Sequence, residues 1–227
     1  MMTKTSARLI QIFLLSIGVL AIAPRAHAQD DLIDSAVAHV GVGAGVNFYQ
    51  PRSDDADSSH GIVIMTRWHS FHSGWGPTFG LDWHRTVFHQ TVGDVADVPL
   101  GSLRMRALLA GFGYRHRIHR FTALANASAG YSFNHLTDDS GLGPAFARTG
   151  VSLIDVHVNN SAIVKPEVAV WYDLFKHVGV GVSAAYLFNK PDEVIRTTAG
   201  SATRELNANT FALAAGLTFG VWKKGEQ

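Results

Sequence analysis

Apolar residues recur at every second position along most of the chain after residue 39, with small or polar residues between them. Successive side chains of a β-strand point to opposite faces, so this alternation predicts strands that each have one apolar face. The run from Phe121 to Phe133 is the clearest, because alanines and aromatics share one face while mostly Ser, Thr and Asn share the other. The pattern predicts eight strands, at 40–48, 61–70, 77–87, 102–114, 121–134, 164–172, 178–188 and 210–221.

The connections between these strands alternate in length. The long connections hold most of the acidic and turn-forming residues, including Asp54 and Asp138. Membrane barrels of bacteria have short periplasmic turns and long outer loops. The alternation therefore predicts such a barrel, and an even strand number places both chain ends on the periplasmic side. The short connections are expected near 71–76, 115–120 and 173–177, and the long ones near 50–60, 88–101, 135–161 and 189–208.

The composition of the two strand faces distinguishes a membrane barrel from a soluble one. A soluble eight-stranded barrel places its apolar face inside and needs charge on its outer face. Here the less apolar face is mostly Gly, Ser, Thr, Ala and Asn, which suits a narrow packed interior, and the apolar face carries almost no charge. Aromatic residues gather at both strand ends, as expected at two membrane interfaces. The predicted fold class is all-β, an eight-stranded antiparallel up-and-down transmembrane β-barrel.

The first 28 residues have the pattern of a cleavable signal peptide. Lys4 and Arg8 precede an apolar run at 12–23, and Ala26-His27-Ala28 follows it. This run is too short to span a bilayer, which needs about 20 residues, and the small-x-small ending is a signal peptidase site. We therefore expect mature protein to begin at Gln29. A short segment at 29–36, the barrel at 37–222 and a tail at 223–227 complete the predicted organisation.

The stretch from Pro166 to Tyr172, continued through Tyr186 to Phe188, is the most typical part of the pattern. Over 37–222 the chain resembles the small outer-membrane β-barrel families of the OmpA, OmpX and opacity-protein kind. The resemblance is specific for fold and weak for function. It implies a location in the bacterial outer membrane, contact with outer-membrane lipid and lipopolysaccharide, and insertion by the barrel assembly machinery.

Charged residues on the predicted inward faces are the strongest candidates for a site. Unpaired buried charge is costly, so we expect them to form ion pairs. The predicted network joins Arg104 and Arg106 to Asp82 and Glu167, with Lys165 nearer the outer mouth. It would plug the interior, and a gated solute path is the alternative. Eight strands enclose side chains rather than an open channel, which favours the plug. The inward-facing charges also include Arg67 and His84.

Composition excludes several other classes of function. The formal net charge is +1, and 16 basic and 18 acidic residues remain once residues 1–28 are removed, so no concentrated basic face predicts a nucleic-acid partner. The chain has no cysteine, so an exported fold cannot depend on disulfides. Two H-x-x-H pairs, His69 with His72 and His116 with His119, together with His177, lie near predicted short turns. We interpret them as solvated turn residues and predict neither a metal nor a cofactor.

Two functional classes are left open by the sequence. The favoured one is a non-enzymatic outer-membrane barrel with a structural or surface-interaction role and a possible unknown ligand at its outer loops. The alternative is a lipid-modifying barrel enzyme of the lipid A deacylase or phospholipase type. Its candidate residues, His69, Ser70, His72 and Ser73, do not reproduce the His-x-Ser spacing of the deacylase motif. We therefore predict no catalytic residues.

Overall fold

Eight antiparallel strands close into one barrel in the computed structural model, which describes residues 39–69, 73–175 and 178–220. The described elements are β1 His39–Pro51, β2 Ser59–His69, β3 Gly74–Val92, β4 Val95–Ile118, β5 Phe121–Asp138, α1 Leu142–Arg148, β6 Leu153–Val158, β7 Ser161–Phe175, β8 Val178–Asn189, β9 Asp192–Thr197, β10 Gly200–Glu205 and β11 Thr210–Gly220. The barrel order is β1–β11–β8–β7–β5–β4–β3–β2, and β1 pairs with β11 to complete the closure. The predicted fold class is confirmed. The predicted signal peptide, the segment 29–36 and the tail at 223–227 lie outside the described residues.

Strands β3 and β4 form a hairpin that is much longer than the sequence predicted. The residues 88–101, expected as an irregular connection, instead continue both strands to a tight turn after Val92. Gly93 in that turn has φ +58, a backbone conformation that glycine adopts at little cost. The sequence predicted a connection here because Gly93, Asp94 and Pro99 are residue types that favour turns and loops. The strands continue because Val92, Val98 and their neighbours bury apolar side chains there.

The two longest connections fold together at one end of the barrel. Helix α1 and strand β6 lie between β5 and β7, and the β9–β10 hairpin lies between β8 and β11. Strand β6 pairs antiparallel with β9, so the two connections share one three-stranded sheet in the order β10–β9–β6. We call α1, β6, β9 and β10 the cap. The barrel end that carries it is the cap end, and the opposite end is the turn end.

An apolar cluster packs the cap against the extended hairpin. Phe88, Leu100 and Leu103 contribute from the hairpin, and Leu142 from α1, all of them almost fully buried. The cap also carries a polar link to β3, since Arg204 binds the buried Glu193 and donates to Gln90 Oε1 at 2.9 Å. The cap is therefore a packed unit joined to the barrel.

The outward face of the barrel is an apolar girdle. Phe48, Phe79 and Phe188 each expose about half of their side chain, which a water-facing surface rarely does over so wide an area. Aromatic pairs lie at both ends of the barrel. At the cap end, the ring centroids of Tyr186 and Phe188 are 4.6 Å apart. At the turn end, the ring centroids of Phe121 and Tyr172 are 4.8 Å apart. Further members of the girdle are Val42, Val46, Ile62, Ile64, Leu81, Leu108, Phe112, Val164, Val170, Val182, Leu213 and Leu217.

None of the helices in the described part of the chain is long and apolar enough to cross a membrane.

Candidate functional site in the barrel interior

An ion-pair cluster crosses the middle of the barrel. Lys165 Nζ on β7 lies 2.9 Å from Asp82 Oδ2 on β3 and 3.5 Å from Glu167 Oε2 on its own strand. The two closest side chains are 6% and 1% exposed. Because β3 and β7 are not neighbours in the sheet, this contact spans the interior from one wall to another. The cluster holds one ammonium group between two carboxylates.

Neutral donors complete the environment of Asp82. Its Oδ1 accepts hydrogen bonds from Asn47 Nδ2 at 2.9 Å and from the Tyr49 hydroxyl at 3.0 Å. The Tyr49 ring stacks on His84 with centroids 3.9 Å apart. Together with Lys165 these donors give the buried carboxylate three partners, as a charge in a low-dielectric interior requires. In contrast, neither ring nitrogen of His84 has a hydrogen-bond partner among the described residues.

A second ion pair lies at the turn end, where the sequence predicted only short connections. Arg117 Nη2 on β4 contacts Asp173 Oδ2 on β7 at 3.0 Å, and both side chains are less than one-fifth exposed. Arg117 also donates through Nε to the His119 carbonyl oxygen at 3.0 Å. The sequence signal was present, because Arg117 and Asp173 continue the alternation of their strands on the inward side. The prediction missed the pair because it ended those strands too early.

An aromatic ring fills the interior between the two ion pairs. Trp171 is 3% exposed and packs against Gly181 of β8. A Cβ at Gly181 would lie 2.1 Å from Trp171 Cε3, so only glycine leaves room for this ring. Beside it is a cavity of about 50 Å³, large enough for a few water molecules, with Arg115 and Thr122 in its lining.

The structure corrects the predicted positions of Arg104 and Arg106. In the β3–β4 register Asp82 lies opposite Ala107, whereas Trp83 lies opposite Arg106 and Arg85 opposite Arg104. Both arginines therefore lie on the outward face and not with Asp82, Lys165 and Glu167. The prediction was wrong because it assigned the apolar face of β4 to lipid. That face lies inside the barrel, and its cap-end members Leu103 and Met105 pack under the cap.

His84 lies inside the barrel, 4% exposed, as its strand position predicted. The side chain of Arg67 lies outside the described part of the structure.

Comparison with known proteins gives the fold its family context. No protein-family model and no curated protein matches the sequence. Among solved structures, the outer membrane protein OprG from Pseudomonas aeruginosa superposes with a TM-score of 0.66 at 11% identity, covering 81% of this chain and 96% of that one. A major outer membrane protein from Thermus thermophilus superposes with a TM-score of 0.52 at 10% identity, covering 81% and 99%. The chain has the fold of the small eight-stranded outer-membrane barrels. Identities this low carry the fold and nothing finer.

The girdle of this outer-membrane barrel agrees with a location in the outer membrane. Lipid cannot satisfy unpaired strand edges, and the closed order of strands leaves none. The apolar outward face is bounded by aromatic residues at both ends, as membrane interfaces favour. The protein is therefore located in the bacterial outer membrane, and residues at the two ends of its girdle meet the two membrane surfaces.

Two of the histidine and serine candidates, Ser73 and His116, are in contact at the turn end of this outer-membrane barrel. Ser73 Oγ lies 3.1 Å from His116 Nδ1 and accepts a hydrogen bond from the Arg117 backbone N–H. Both side chains are exposed. The His69 side chain and residues 70–72 and 177 are not described by the structure. Across the described ranges, no group of three His, Asp or Glu side chains is arranged to hold a metal ion.

Proposed function

We propose that the protein is a non-conducting outer-membrane barrel that displays a folded cap at the cell surface, with a structural or surface-interaction role. The Lys165–Asp82 contact across the interior carries the first part of this proposal. A pair that reaches from β7 to β3 occupies the cross-section through which a solute would have to pass.

Three layers support the idea of a sealed interior. The Arg117–Asp173 pair and Trp171 lie towards the turn end, the Lys165 cluster lies in the middle, and the apolar cluster of the cap lies above. The upper layer is apolar and each of the other two contains an ion pair, so no single change in charge would open all three. An inert seal is favoured over a gate because the mid-barrel charges are already paired with one another.

Conductance in planar lipid bilayers tests the seal. The reconstituted full chain should give no stable current steps, and Arg148→Gln, which changes an exposed cap residue, should behave in the same way. Joint replacement of Lys165 by Gly, Trp171 by Ala and Leu142 by Ala should produce measurable conductance, because it weakens all three layers. Stable open-channel currents from the unmodified protein would contradict the proposal.

The folded cap supports the second part, a role at the surface. Strand β10 exposes all six of its residues and forms one edge of the cap sheet, while buried Glu193 and Leu142 hold the cap in place. A rigid, exposed unit presents a defined surface to a partner at lower entropic cost than loose loops. This surface would bind the unknown ligand that the sequence predicts at the outer loops.

We propose that this role is non-enzymatic. The Ser73–His116 contact is the arrangement that best resembles a nucleophile and base. Asp173, the acid connected to it through Arg117, is engaged in an ion pair with that arginine. The full chain should therefore leave extracted lipid A and phospholipid unchanged, as judged by mass spectrometry of the lipids. Release of fatty acid that is abolished by Ser73→Ala would establish the lipid-modifying enzyme instead.

A further inference from the structure

Three arginines gather on the outward face of the barrel beside the cap. Arg85 of β3 lies opposite Arg104 of β4, and Arg104 lies opposite His135 of β5. Arg106 lies two residues further along β4, towards the membrane, with its guanidinium 5.0 Å from the centre of the Trp83 ring. Directly opposed residues have Cβ atoms about 4.5–5.5 Å apart, so these four side chains form one surface. We call Arg85, Arg104, Arg106 and His135 the arginine patch.

The arginine patch stands at the border of the girdle. Trp83 and Leu108, the outward residues next to it on the turn-end side, are about half exposed and apolar. An arginine that faces lipid is costly at the bilayer centre and nearly without cost at the interface. Arg106 lies over a Trp ring, the aromatic residue typical of that interface. The patch therefore lies at the level of lipid headgroups.

The positive charge of the arginine patch has no carboxylate partner in the described part of the chain. Within residues 39–69, 73–175 and 178–220, no Asp or Glu forms an ion pair with Arg85, Arg104 or Arg106, although several acids lie elsewhere at the cap end. Arg85 donates through Nε to the Ser102 hydroxyl, which leaves its Nη groups available. Like charges directly opposite one another on a sheet destabilise it. A cluster of this kind is favourable when an anion binds between its members.

We infer that the arginine patch binds a phosphate of the glycolipid in the outer leaflet, that is, of lipid A in lipopolysaccharide. Arginine forks match phosphate oxygens in two-point hydrogen bonds and are more weakly hydrated than lysine, which suits a headgroup layer. The girdle below the patch would contact the acyl chains of the same molecule. The choice of leaflet rests on the proposed display of the cap at the cell surface, because the patch lies at the cap end.

Native mass spectrometry of the refolded full chain in detergent tests the inference with purified lipid A as the probe. Bisphosphorylated lipid A should bind, and enzymatically dephosphorylated lipid A should bind at least about tenfold more weakly. Arg104→Gln and Arg106→Gln should each weaken binding about tenfold, and Arg106→Lys less than that. Arg120→Gln, an exposed arginine at the turn end, and Arg148→Gln in the cap should bind as the unmodified protein does.

Heat-modifiable gel mobility checks that each variant is folded. Equal binding by the patch variants and the unmodified protein would overturn the inference. So would equal binding of phosphorylated and dephosphorylated lipid A. Arginine-dependent binding of phosphatidylglycerol with the same affinity would replace lipid A with a general anionic phospholipid. Open-channel currents from the unmodified protein, combined with arginine-dependent binding of lipid A, would refute the sealed interior and not the patch.

Discussion

Replacing Lys165 by Met should destabilise the barrel more than replacing Asp82 by Asn, although the two residues form one ion pair. Lys165→Met leaves Asp82 and Glu167 buried without their ammonium partner. Breaking a buried pair in this way costs about 3–5 kcal/mol. Asp82→Asn leaves Lys165 its contact with Glu167 at 3.5 Å and loses charge-assisted hydrogen bonds, which cost about 1–3 kcal/mol.

The double variant should lose less stability than the sum of the single variants, because it leaves no unpaired charge at the Asp82 position. We expect a coupling energy of about 1.5–3 kcal/mol. The assay is urea unfolding in lipid vesicles, followed by tryptophan fluorescence and by heat-modifiable gel mobility. The matched control is Lys190→Met with Glu205→Gln, a 2.7 Å pair whose side chains are more than half exposed, where coupling should stay below about 1 kcal/mol.

Losses at Lys165 and Asp82 that add to within about 0.5 kcal/mol would show that the pair across the interior does not exist in the membrane. A larger loss for Asp82→Asn than for Lys165→Met would refute the role assigned to Glu167.

Three further changes test the packing around the interior by the same unfolding assay, with one proteolysis measurement. Gly181→Ala should lower the free energy of unfolding by about 1–3 kcal/mol, because the added Cβ overlaps the Trp171 ring. Gly76→Ala, with open space around it, should lower it by about 1 kcal/mol or less. Equal effects would mean that Trp171 is free to move. His84→Phe should be neutral or stabilising, since it keeps the stack on Tyr49 and removes two buried nitrogens that have no hydrogen-bond partner among the described residues. A marked loss would show that His84 has a polar partner. Leu142→Ala should make the segment 135–161 sensitive to protease while the barrel keeps its heat-modifiable mobility, and unfolding of the whole chain instead would mean that cap and barrel fold as one unit.

The alternation of residues was sufficient to predict the barrel, because a strand buried on one side has a period of two wherever it crosses the membrane. It was insufficient to assign the faces of β4. Arg106 and Met105 alternate as any strand residues do, and Met105 lies inside because of contacts with the interior and the cap that the alternation does not record. Arg117 and Asp173 continue the alternation of β4 and β7, but the predicted strands ended before them, so their ion pair was missed.

The cap could not be predicted because its sheet joins segments from two separate connections. Strand β6 pairs with β9, and no local pattern records which distant segment supplies a partner. Asp82 and Lys165 were predicted to face the interior. Their direct contact depends on how far each strand is staggered around the barrel, which the sequence does not state.

Labelling of single cysteines on intact cells tests most directly whether an outer-membrane barrel displays its cap outward. The natural chain has no cysteine, so each substitution gives one site without background. Ser201→Cys lies in exposed β10 of the cap, and Arg120→Cys lies in the exposed turn between β4 and β5. A membrane-impermeant maleimide should label Ser201→Cys on intact cells and Arg120→Cys only after the outer membrane is permeabilised. Labelling of Arg120→Cys on intact cells, with Ser201→Cys protected, would show the opposite orientation and contradict the proposed display of the cap.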